Sequence, residues 1–282
     1  MSSRIGYRAA LATAFVFAFL STRHAFAQFP GDIPENVRFK LGGVFASLDT
    51  KATLSSPELP GNSVDFSDLG ITPDHKNTFQ GTGYWNFLGR SYLDFGYVNF
   101  DVSGSNTITR DIHFGGVTYT AGAEVSGETR SRFIYAAYRY GIFRNPTFHF
   151  GLSLGVSYYT AQASLSATAG VVGPNGEVIA GGATRERELN VPVPLLGAEM
   201  ELRILPTLTI GGSFRGVKLN VSPYSGTWVE GIGEINWYFA RNFGLGAAYD
   251  YHHIRIEKSN ATSLVRFDQL YNGPRGYLII SF

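Results

Sequence analysis

Apolar and polar residues alternate with a period of two along most of the chain after residue 37. Successive side chains of a β-strand point to opposite faces, so this pattern predicts strands with one apolar and one polar face. In the clearest segment, large apolar residues at Phe148, Phe150, Leu152, Leu154, Val156 and Tyr158 alternate with His149, Gly151, Ser153, Gly155 and Ser157. The helical period is nearly absent. The sequence therefore predicts an all-β protein of about ten strands, within a range of eight to twelve.

The predicted connections between strands fall into two length classes. Tight turns are predicted at 89–90, 144–146, 205–207 and 240–242, and longer loops near 51–76, 104–122, 167–185 and 258–268. Gly115-Gly116 is a predicted two-residue hairpin turn, which lets the flanking strands continue as one ribbon. Short turns at one end and long loops at the other are typical of a transmembrane β-barrel. The predicted fold is a closed antiparallel up-and-down transmembrane β-barrel, with both termini on the periplasmic side.

The composition agrees with such a barrel. The chain has 34 Gly, 16 Tyr, 22 Phe and only 16% charged residues. Its mean hydropathy of −0.02 is expected where side chains alternate between lipid and lumen. The absence of Cys excludes a disulfide scaffold.

The first 27 residues have the pattern of a secretory signal peptide. Arg4 and Arg8 precede an apolar run, which is too short to span a membrane as a helix, and Ala25-Phe26-Ala27 follows. We therefore expect cleavage between Ala27 and Gln28, leaving one barrel domain over 28–282. Removing three signal arginines leaves 20 basic and 22 acidic residues, and this balance argues against nucleic-acid binding.

The C-terminal residues carry a family resemblance. Leu278, Ile280 and Phe282 alternate with other residues up to the chain end. In this the chain resembles bacterial outer-membrane β-barrel proteins, whose last strand usually ends in Phe after alternating apolar residues, although Gly276 departs from the bulky residue often found there. The resemblance implies a bacterial outer-membrane location and recognition by the barrel-assembly machinery. We also expect contact with outer-membrane lipids, including lipopolysaccharide, a monomeric state, and no cofactor or metal.

Placing the apolar face toward lipid directs many charged side chains into the lumen. They are Arg38, Lys40, Asp94, Arg139, Glu199, Glu201, Arg203, Arg215, Glu230, Glu234, Asp250 and His252. Facing residue numbers across a hairpin have a constant sum, so the tight turns predict neighbours. The predicted groups are Arg215 with Glu234 and Glu199, Glu230 with His252, and Arg139 with His149 and Asp94.

These charge clusters allow two interpretations. They could line an ion or solute path or supply catalytic carboxylates. Because a ten-stranded barrel is narrow, they can instead fill the interior and neutralise one another, which is the favoured interpretation. Arg130, Arg132, Arg185 and Arg187 lie near the predicted outer strand ends, where they could pair with anionic lipid head groups.

Evidence for catalysis in the sequence is weak. Gly151-Leu152-Ser153-Leu154-Gly155 has the spacing of a hydrolase nucleophile elbow but lies within a regular strand. His252 and His253 point to opposite strand faces, so they cannot bind one metal together. Asp111 and His113 leave open an outer-membrane enzyme acting on lipid A, phospholipid or peptides. The predicted function is a non-enzymatic outer-membrane barrel, either a narrow pore or a structural or surface-interaction protein.

A soluble lipid-carrying barrel is the remaining alternative. It would place Phe148, Phe150, Leu152 and Leu154 inside the barrel.

Overall fold

The computed structural model describes residues 35–45, 47–55, 63–65, 72–260 and 263–282. The predicted signal peptide, with its cleavage site between Ala27 and Gln28, lies outside these residues. Within the described ranges, no helix is long and apolar enough to cross a membrane.

The described residues form fifteen strands. They are β1 (Val37–Val44), β2 (Ser47–Ser55), β3 (Ser63–Asp65), β4 (Thr72–Leu88), β5 (Ser91–Thr107), β6 (Ile112–Phe114), β7 (Val117–Tyr119), β8 (Glu124–Arg144), β9 (Phe148–Ala167), β10 (Val171–Val172), β11 (Ala183–Leu205), β12 (Leu208–Val221), β13 (Tyr224–Ala240), β14 (Phe243–Asn260) and β15 (Ser263–Ser281).

Ten of these strands close into one antiparallel barrel. Their order is β1-β4-β5-β8-β9-β11-β12-β13-β14-β15, and pairing of β1 with β15 completes the ring. In the closing ladder Arg38 pairs with Ser281 and Val44 with Arg275. β2 pairs with β15 beyond β1, and β3 pairs with β2. The predicted ten-stranded up-and-down barrel is confirmed.

The two ends of the barrel differ. We call the end with Val37 and Phe282 the base and the opposite end the rim. Base connections contain two or three residues, at 89–90, 145–147, 206–207 and 241–242. Rim connections include the long segments 108–123 and 168–182 and the short turn 222–223.

Strands occupy parts of the ranges predicted as loops. Residues 258–268 include the paired ends of β14 and β15, where Asn260 pairs with Ser263. The range 51–76 likewise contains strand residues of β2, β3 and β4. In water, a projecting strand needs no apolar outer face, so its sequence resembles that of a loop.

A second, small sheet lies at the rim. Its order is β10-β7-β6, and Gly115 and Gly116, with φ of 64° and 82°, form the predicted turn between β6 and β7. Contrary to the prediction, this hairpin does not continue β5 and β8, which end together at the pair Thr107–Glu124. Its alternating apolar residues instead pack with inward side chains of β9 and β11 in one buried cluster. We call residues 108–123 the cap.

The outward side chains form an apolar belt. On β9 they are Leu152, Leu154, Val156 and Tyr158, which are 49–60% exposed, while their inward neighbours are largely shielded. A closed barrel with such a belt presents it to membrane hydrocarbon. The soluble lipid-carrier alternative is therefore wrong, because it requires these residues inside.

β11 and β12 separate toward the rim. Their ladder ends at Leu196–Gly216, whereas β11 continues to Ala183 paired with β9. The Arg203 N–H bonds to Thr147 on the β9 side, so even-numbered residues of β11 direct their backbone groups toward β12. Pro192 and Pro194 are even-numbered and have no N–H. The ladder thus stops where two donors are missing.

Candidate functional site: the charged lumen

The predicted lumen charges alternate along their strands with the exposed belt residues. Arg38, Asp94, Arg139, Glu201, Arg215, Glu230, Asp250 and His252 are buried, while Lys40, Glu199, Arg203 and Glu234 are partly buried. A closed barrel has only one interior, so all of these side chains share it. Their pairing decides whether the interior is open.

Arg38 is the centre of the cluster nearest the base. Its guanidinium donates to both carboxylate oxygens of Glu201 at 3.0 Å and also pairs with Glu35. Thr209 donates to Glu201 at 2.7 Å, and Tyr84 donates to Glu35 at 2.8 Å. One guanidinium thus serves two buried carboxylates, and each carboxylate also accepts a hydrogen bond from a hydroxyl group.

Arg139 forms the next cluster. It is fully buried and bonds to Asp94 at 3.0 Å, Glu199 at 3.0 Å and His149 at 2.9 Å. His149 is not opposite Arg139, as the predicted turn implied, because the β8–β9 turn lies later in the chain, so that His149 faces Arg144 and Arg139 faces Ser153. The long arginine side chain still reaches the imidazole.

Arg215 and Glu230 form a third cluster. They are opposite in the β12–β13 ladder and 2.7 Å apart, and His252 Nδ1 lies 3.2 Å from Glu230. The predicted pair of Arg215 with Glu234 is wrong. The β12–β13 turn is at Ser222-Pro223, and its register places each facing residue of β13 four positions earlier than the predicted pairing.

Glu234 instead pairs across the lumen. It accepts a hydrogen bond from Lys40 on β1 and another from the Tyr277 hydroxyl at 3.2 Å. Glu199, which was predicted in the same group around Arg215, bonds instead to Arg139. The expected Glu-Arg-Glu cluster is thus divided among three separate pairs.

The sequence reasoning missed Arg275 and Glu35. Arg275 binds Asp250 at 3.1 Å, and both side chains are buried. Arg275 has the parity opposite to Leu278, Ile280 and Phe282, so the alternation already placed it inside. Glu35 precedes the first strand, where no alternation exists to assign it a face.

A small cavity remains within these clusters. Its volume is about 70 Å³, and Lys40, Arg215, Glu230 and His252 contribute to its lining. A water needs about 10 to 15 Å³ of such space, so this cavity has room for several waters. Val98, Phe133, Trp228 and Tyr271 line its rim side.

Toward the rim the lumen is filled by apolar side chains. Phe133 stacks on Tyr159 with ring centroids 4.6 Å apart and contacts Trp228 at 5.4 Å. Above these rings, the cap residues Phe114 and Tyr119 are 1% and 0% exposed. Charged clusters and an apolar core therefore occupy successive levels of the lumen.

The residues considered for catalysis are engaged elsewhere. Asp111 accepts a hydrogen bond from the Ala121 N–H at 2.8 Å, and His113 bonds to Thr118 at 2.7 Å. Ser153 lies in the regular β9–β11 ladder opposite Gly197. Among the described residues, no group of three or more His, Asp or Glu could hold a metal ion.

The C-terminal residues lie on the outer surface at the base. Leu278 and Phe282 are exposed, Ile280 is partly buried, and the Phe282 N–H bonds to the Val37 carbonyl at 2.8 Å. The last strand is thus joined to the first where the barrel closes.

Comparison with known proteins supports the fold alone. No protein-family model and no curated protein matches the sequence. The outer membrane protease OmpT from Escherichia coli is similar in structure, with a TM-score of 0.54, 13% identity and coverage of 89% of this chain and 98% of that chain. The transport unit of the autotransporter AIDA-I from Escherichia coli has a TM-score of 0.39 at 9% identity, covering 91% and 93%. The NalP translocator domain from Neisseria meningitidis has a TM-score of 0.36 at 10% identity, covering 98% and 95%. The chain has the fold of a bacterial outer-membrane β-barrel.

Proposed function

We propose that the protein is a closed, non-enzymatic barrel of the bacterial outer membrane that carries a surface-interaction structure at its rim. The observation that carries this proposal is the filling of the lumen by two different sets of side chains. Charged clusters fill the base half, and aromatic side chains and the cap fill the rim half. A steady ion path would have to cross both.

The orientation follows from the asymmetry of the connections. Short turns at the base match the periplasmic side of outer-membrane barrels, and long rim connections match the extracellular side. The termini are then periplasmic. Leu278, Ile280 and Phe282 are available there to the barrel-assembly machinery. The belt contacts outer-membrane lipids, and the closed ring needs no second copy, which supports a monomer.

Single-channel recording tests the closed lumen. The refolded wild-type protein is expected to show no steady conductance in planar bilayers, with insertion checked by protease protection in matched vesicles. Arg215→Ala and Glu199→Gln should also stay silent, because the aromatic core remains. Steady wild-type conductance that changes in either variant would establish a narrow pore instead.

Hydrolysis assays test the non-enzymatic assignment. OmpT is a protease, so labelled peptides and labelled lipids are the appropriate substrates. No turnover above that of buffer is expected, because Asp111 and His113 support cap turns. Turnover that Asp111→Asn or His113→Ala abolishes would establish an enzyme.

A further inference from the structure

Above the apolar belt, one side of β11 has no neighbouring strand. Up to Ala183, β11 still pairs with β9, but its ladder with β12 ends at Leu196, and no other strand in the described part of the chain takes the place of β12. β12 turns back at 222–223, which the ladder register places level with Asn190. We call the unpaired side of residues 184–190 the free edge.

The residues on this side of β11 change where the strand leaves the membrane. Even-numbered residues of β11 direct their N–H and C=O groups toward the side of β12. Within the belt these positions are Pro192 and Pro194, and proline has no N–H to leave unpaired in hydrocarbon. Above the belt they are Thr184, Glu186, Glu188 and Asn190. The free edge therefore offers four backbone N–H donors where water is present.

Two arginines take over part of the role of the missing strand. Arg185 Nη1 donates to the Thr184 carbonyl at 3.2 Å, and Arg187 Nη1 donates to the Glu186 carbonyl at 3.1 Å. Both carbonyls belong to the free edge, where a neighbouring strand would supply backbone donors. The four N–H groups of the edge have no protein acceptor among the described residues. The edge is therefore open to a partner strand.

The free edge is held in place by the rest of its sheet. Residues 184–190 pair with β9 along their other side, and Leu189 packs in the buried cluster beneath the cap. The remaining side chains of the segment are exposed, except for the partly buried Arg185. A preorganised strand with unpaired backbone groups is a site at which an extended peptide binds as an additional strand.

Charges on the two faces of the segment define which peptide fits. Glu186 and Glu188 point outward, whereas Arg185 and Arg187 have the opposite parity and point inward. An added strand places its side chains about 4.5 to 5.5 Å from those of β11 on the same face, where opposite charges attract. The matching peptide therefore carries basic residues on its outer face and acidic residues on its inner face.

The same charges disfavour a second copy of this chain as the partner. Antiparallel pairing of two complete free edges sets Glu186 opposite Glu188 on the outer face and sets Arg187 opposite its own counterpart on the inner face. Like charges directly opposite each other destabilise a pair of strands. Charged residues commonly protect an exposed sheet edge from self-association in this way. The free edge therefore selects a strand of different sequence.

We propose that the free edge of β11 binds an extended segment of another protein by strand addition. The segment has acidic residues toward the two arginines of the edge and basic residues toward its two glutamates. On binding, N–H groups of the segment replace the guanidiniums at the edge carbonyls, and Arg185 and Arg187 pair with its carboxylates. The proposal rests on the proposed function, because it places the free edge outside the cell and names the partner of the surface-interaction structure.

A short peptide with this charge pattern tests the proposal. Thr-Val-Lys-Glu-Lys-Glu-Thr, paired antiparallel with 184–190, sets each Lys opposite a glutamate and each Glu opposite an arginine. The refolded protein is held in phospholipid nanodiscs, which expose both ends of the barrel, and binding of the fluorescently labelled peptide is measured by anisotropy. We expect saturable binding, and at least tenfold weaker binding of Thr-Val-Glu-Lys-Glu-Lys-Thr, which has the same composition. Equal binding of the two peptides, or no saturable binding below about 1 mM, would overturn the proposal.

N-methylation of the peptide separates strand addition from charge attraction. Methylating the two Lys nitrogens removes N–H groups that face β11, whereas methylating the two Glu nitrogens removes N–H groups that face away from it. The first change should weaken binding about tenfold, as expected for losing two hydrogen bonds, and the second should leave the affinity close to that of the parent peptide. Equal effects of the two changes would contradict strand addition.

Two double variants of the protein test the same hydrogen bonds. Glu186→Pro with Glu188→Pro extends the pattern of Pro192 and Pro194 along the free edge and removes two donors that do not belong to the ladder with β9. Glu186→Ala with Glu188→Ala removes the same carboxylates but keeps both N–H groups. We expect the proline variant to bind the peptide about tenfold more weakly than the alanine variant. Thermal unfolding as in the wild type shows that both variants fold, and equal affinities would refute the assignment.

Three further measurements separate the outcomes. Conductance is recorded on the same protein, the peptide is recovered and checked for cleavage, and the oligomeric state is measured by sedimentation. A conducting barrel or a cleaved peptide would overturn the proposed function, whereas a silent barrel that does not distinguish the two peptides would overturn only the strand addition. A wild-type dimer that the proline variant abolishes would assign the edge to a second copy and overturn the proposed partner.

Discussion

At the scale of single residues, Arg139 shows how the lumen holds buried charge. It is fully buried, and Asp94 and Glu199 both bind it at 3.0 Å. Removing a charge is costly mainly because its partners are left buried without compensation. Arg139 therefore stabilises the protein mainly by compensating the buried charges of Asp94 and Glu199.

Replacing Arg139 by Met should lower the free energy of unfolding by about 3 to 5 kcal/mol. The triple variant Arg139→Met, Asp94→Asn and Glu199→Gln should recover most of this loss, since no uncompensated charge remains. Urea unfolding in lipid vesicles measures both. Arg255→Met, on the exposed outer wall, is the control and should change stability by no more than about 0.5 kcal/mol. A triple variant as unstable as the single one would contradict this account.

The same residues show how much of the site the sequence predicts. Strand parity assigns a face without knowledge of pairing, so the inward position of Arg139, Arg215 and Glu234 followed from alternation alone. Partners depend on the centre of each turn. The register of β12 and β13 places Glu230, and not the predicted Glu234, opposite Arg215. Contacts across the lumen, such as Lys40 with Glu234, have no signal in the sequence.

At the scale of elements, the cap depends on a few anchoring contacts. The Tyr119 hydroxyl donates to the Leu165 carbonyl at 2.9 Å, and Thr120 N–H bonds to the Gly170 carbonyl at 2.8 Å. Burial raises the pKa of Tyr119 to about 12. Its protonated form is therefore favoured in the folded cap.

Tyr119 should make the cap sensitive to alkali. Because its folded pKa is raised, its stabilising contribution is complete below about pH 10 and is lost as the pH rises through about 12. The tyrosinate absorbance of wild type minus that of Tyr119→Phe should titrate with a midpoint near 12. A midpoint near 10 would show an exposed hydroxyl and contradict the anchoring role.

Pro192 and Pro194 set the upper limit of the β11–β12 ladder. Pro192→Thr with Pro194→Val restores two N–H donors that face β12, where the extended register brings residue 194 opposite Lys218. We expect the ladder to lengthen toward the rim, so amide hydrogens at 192, 194 and 218 should exchange slowly by NMR. Fast exchange at all three positions would show that the missing proline N–H groups are not the reason why β11 and β12 separate.

Element boundaries were harder to predict than element types. The rim ends of β14 and β15 are paired, with Glu257 opposite Arg266 and Lys258 opposite Val265, although the segment 257–263 is mostly polar. Outside the membrane, both faces of a strand can be polar, so alternation disappears while hydrogen bonding continues. The part of β15 after residue 268, with its outer face in the membrane, keeps its alternating pattern, and there the strand prediction is confirmed.

At the scale of the whole molecule, two different kinds of side chain occupy the lumen in series. Ion-paired side chains lie near the base, and Phe133, Tyr159 and Trp228 pack together in the rim half. Under the proposed function, each of these two layers blocks the lumen by itself. Opening one should therefore leave the barrel closed.

A barrel without its cap tests this arrangement. Thr107 and Glu124 are paired neighbours, so residues 108–123 can be replaced by Asn-Gly, which favours a two-residue hairpin turn. The variant should keep the ten-stranded barrel, because the wall strands remain paired, but unfold at a lower temperature, because apolar contacts of Phe114 and Tyr119 are lost. In planar bilayers it should stay silent, since the aromatic core and the ion pairs are still in place. Steady conductance in this variant would show that the cap alone closes the lumen and that the side chains beneath it leave a continuous path.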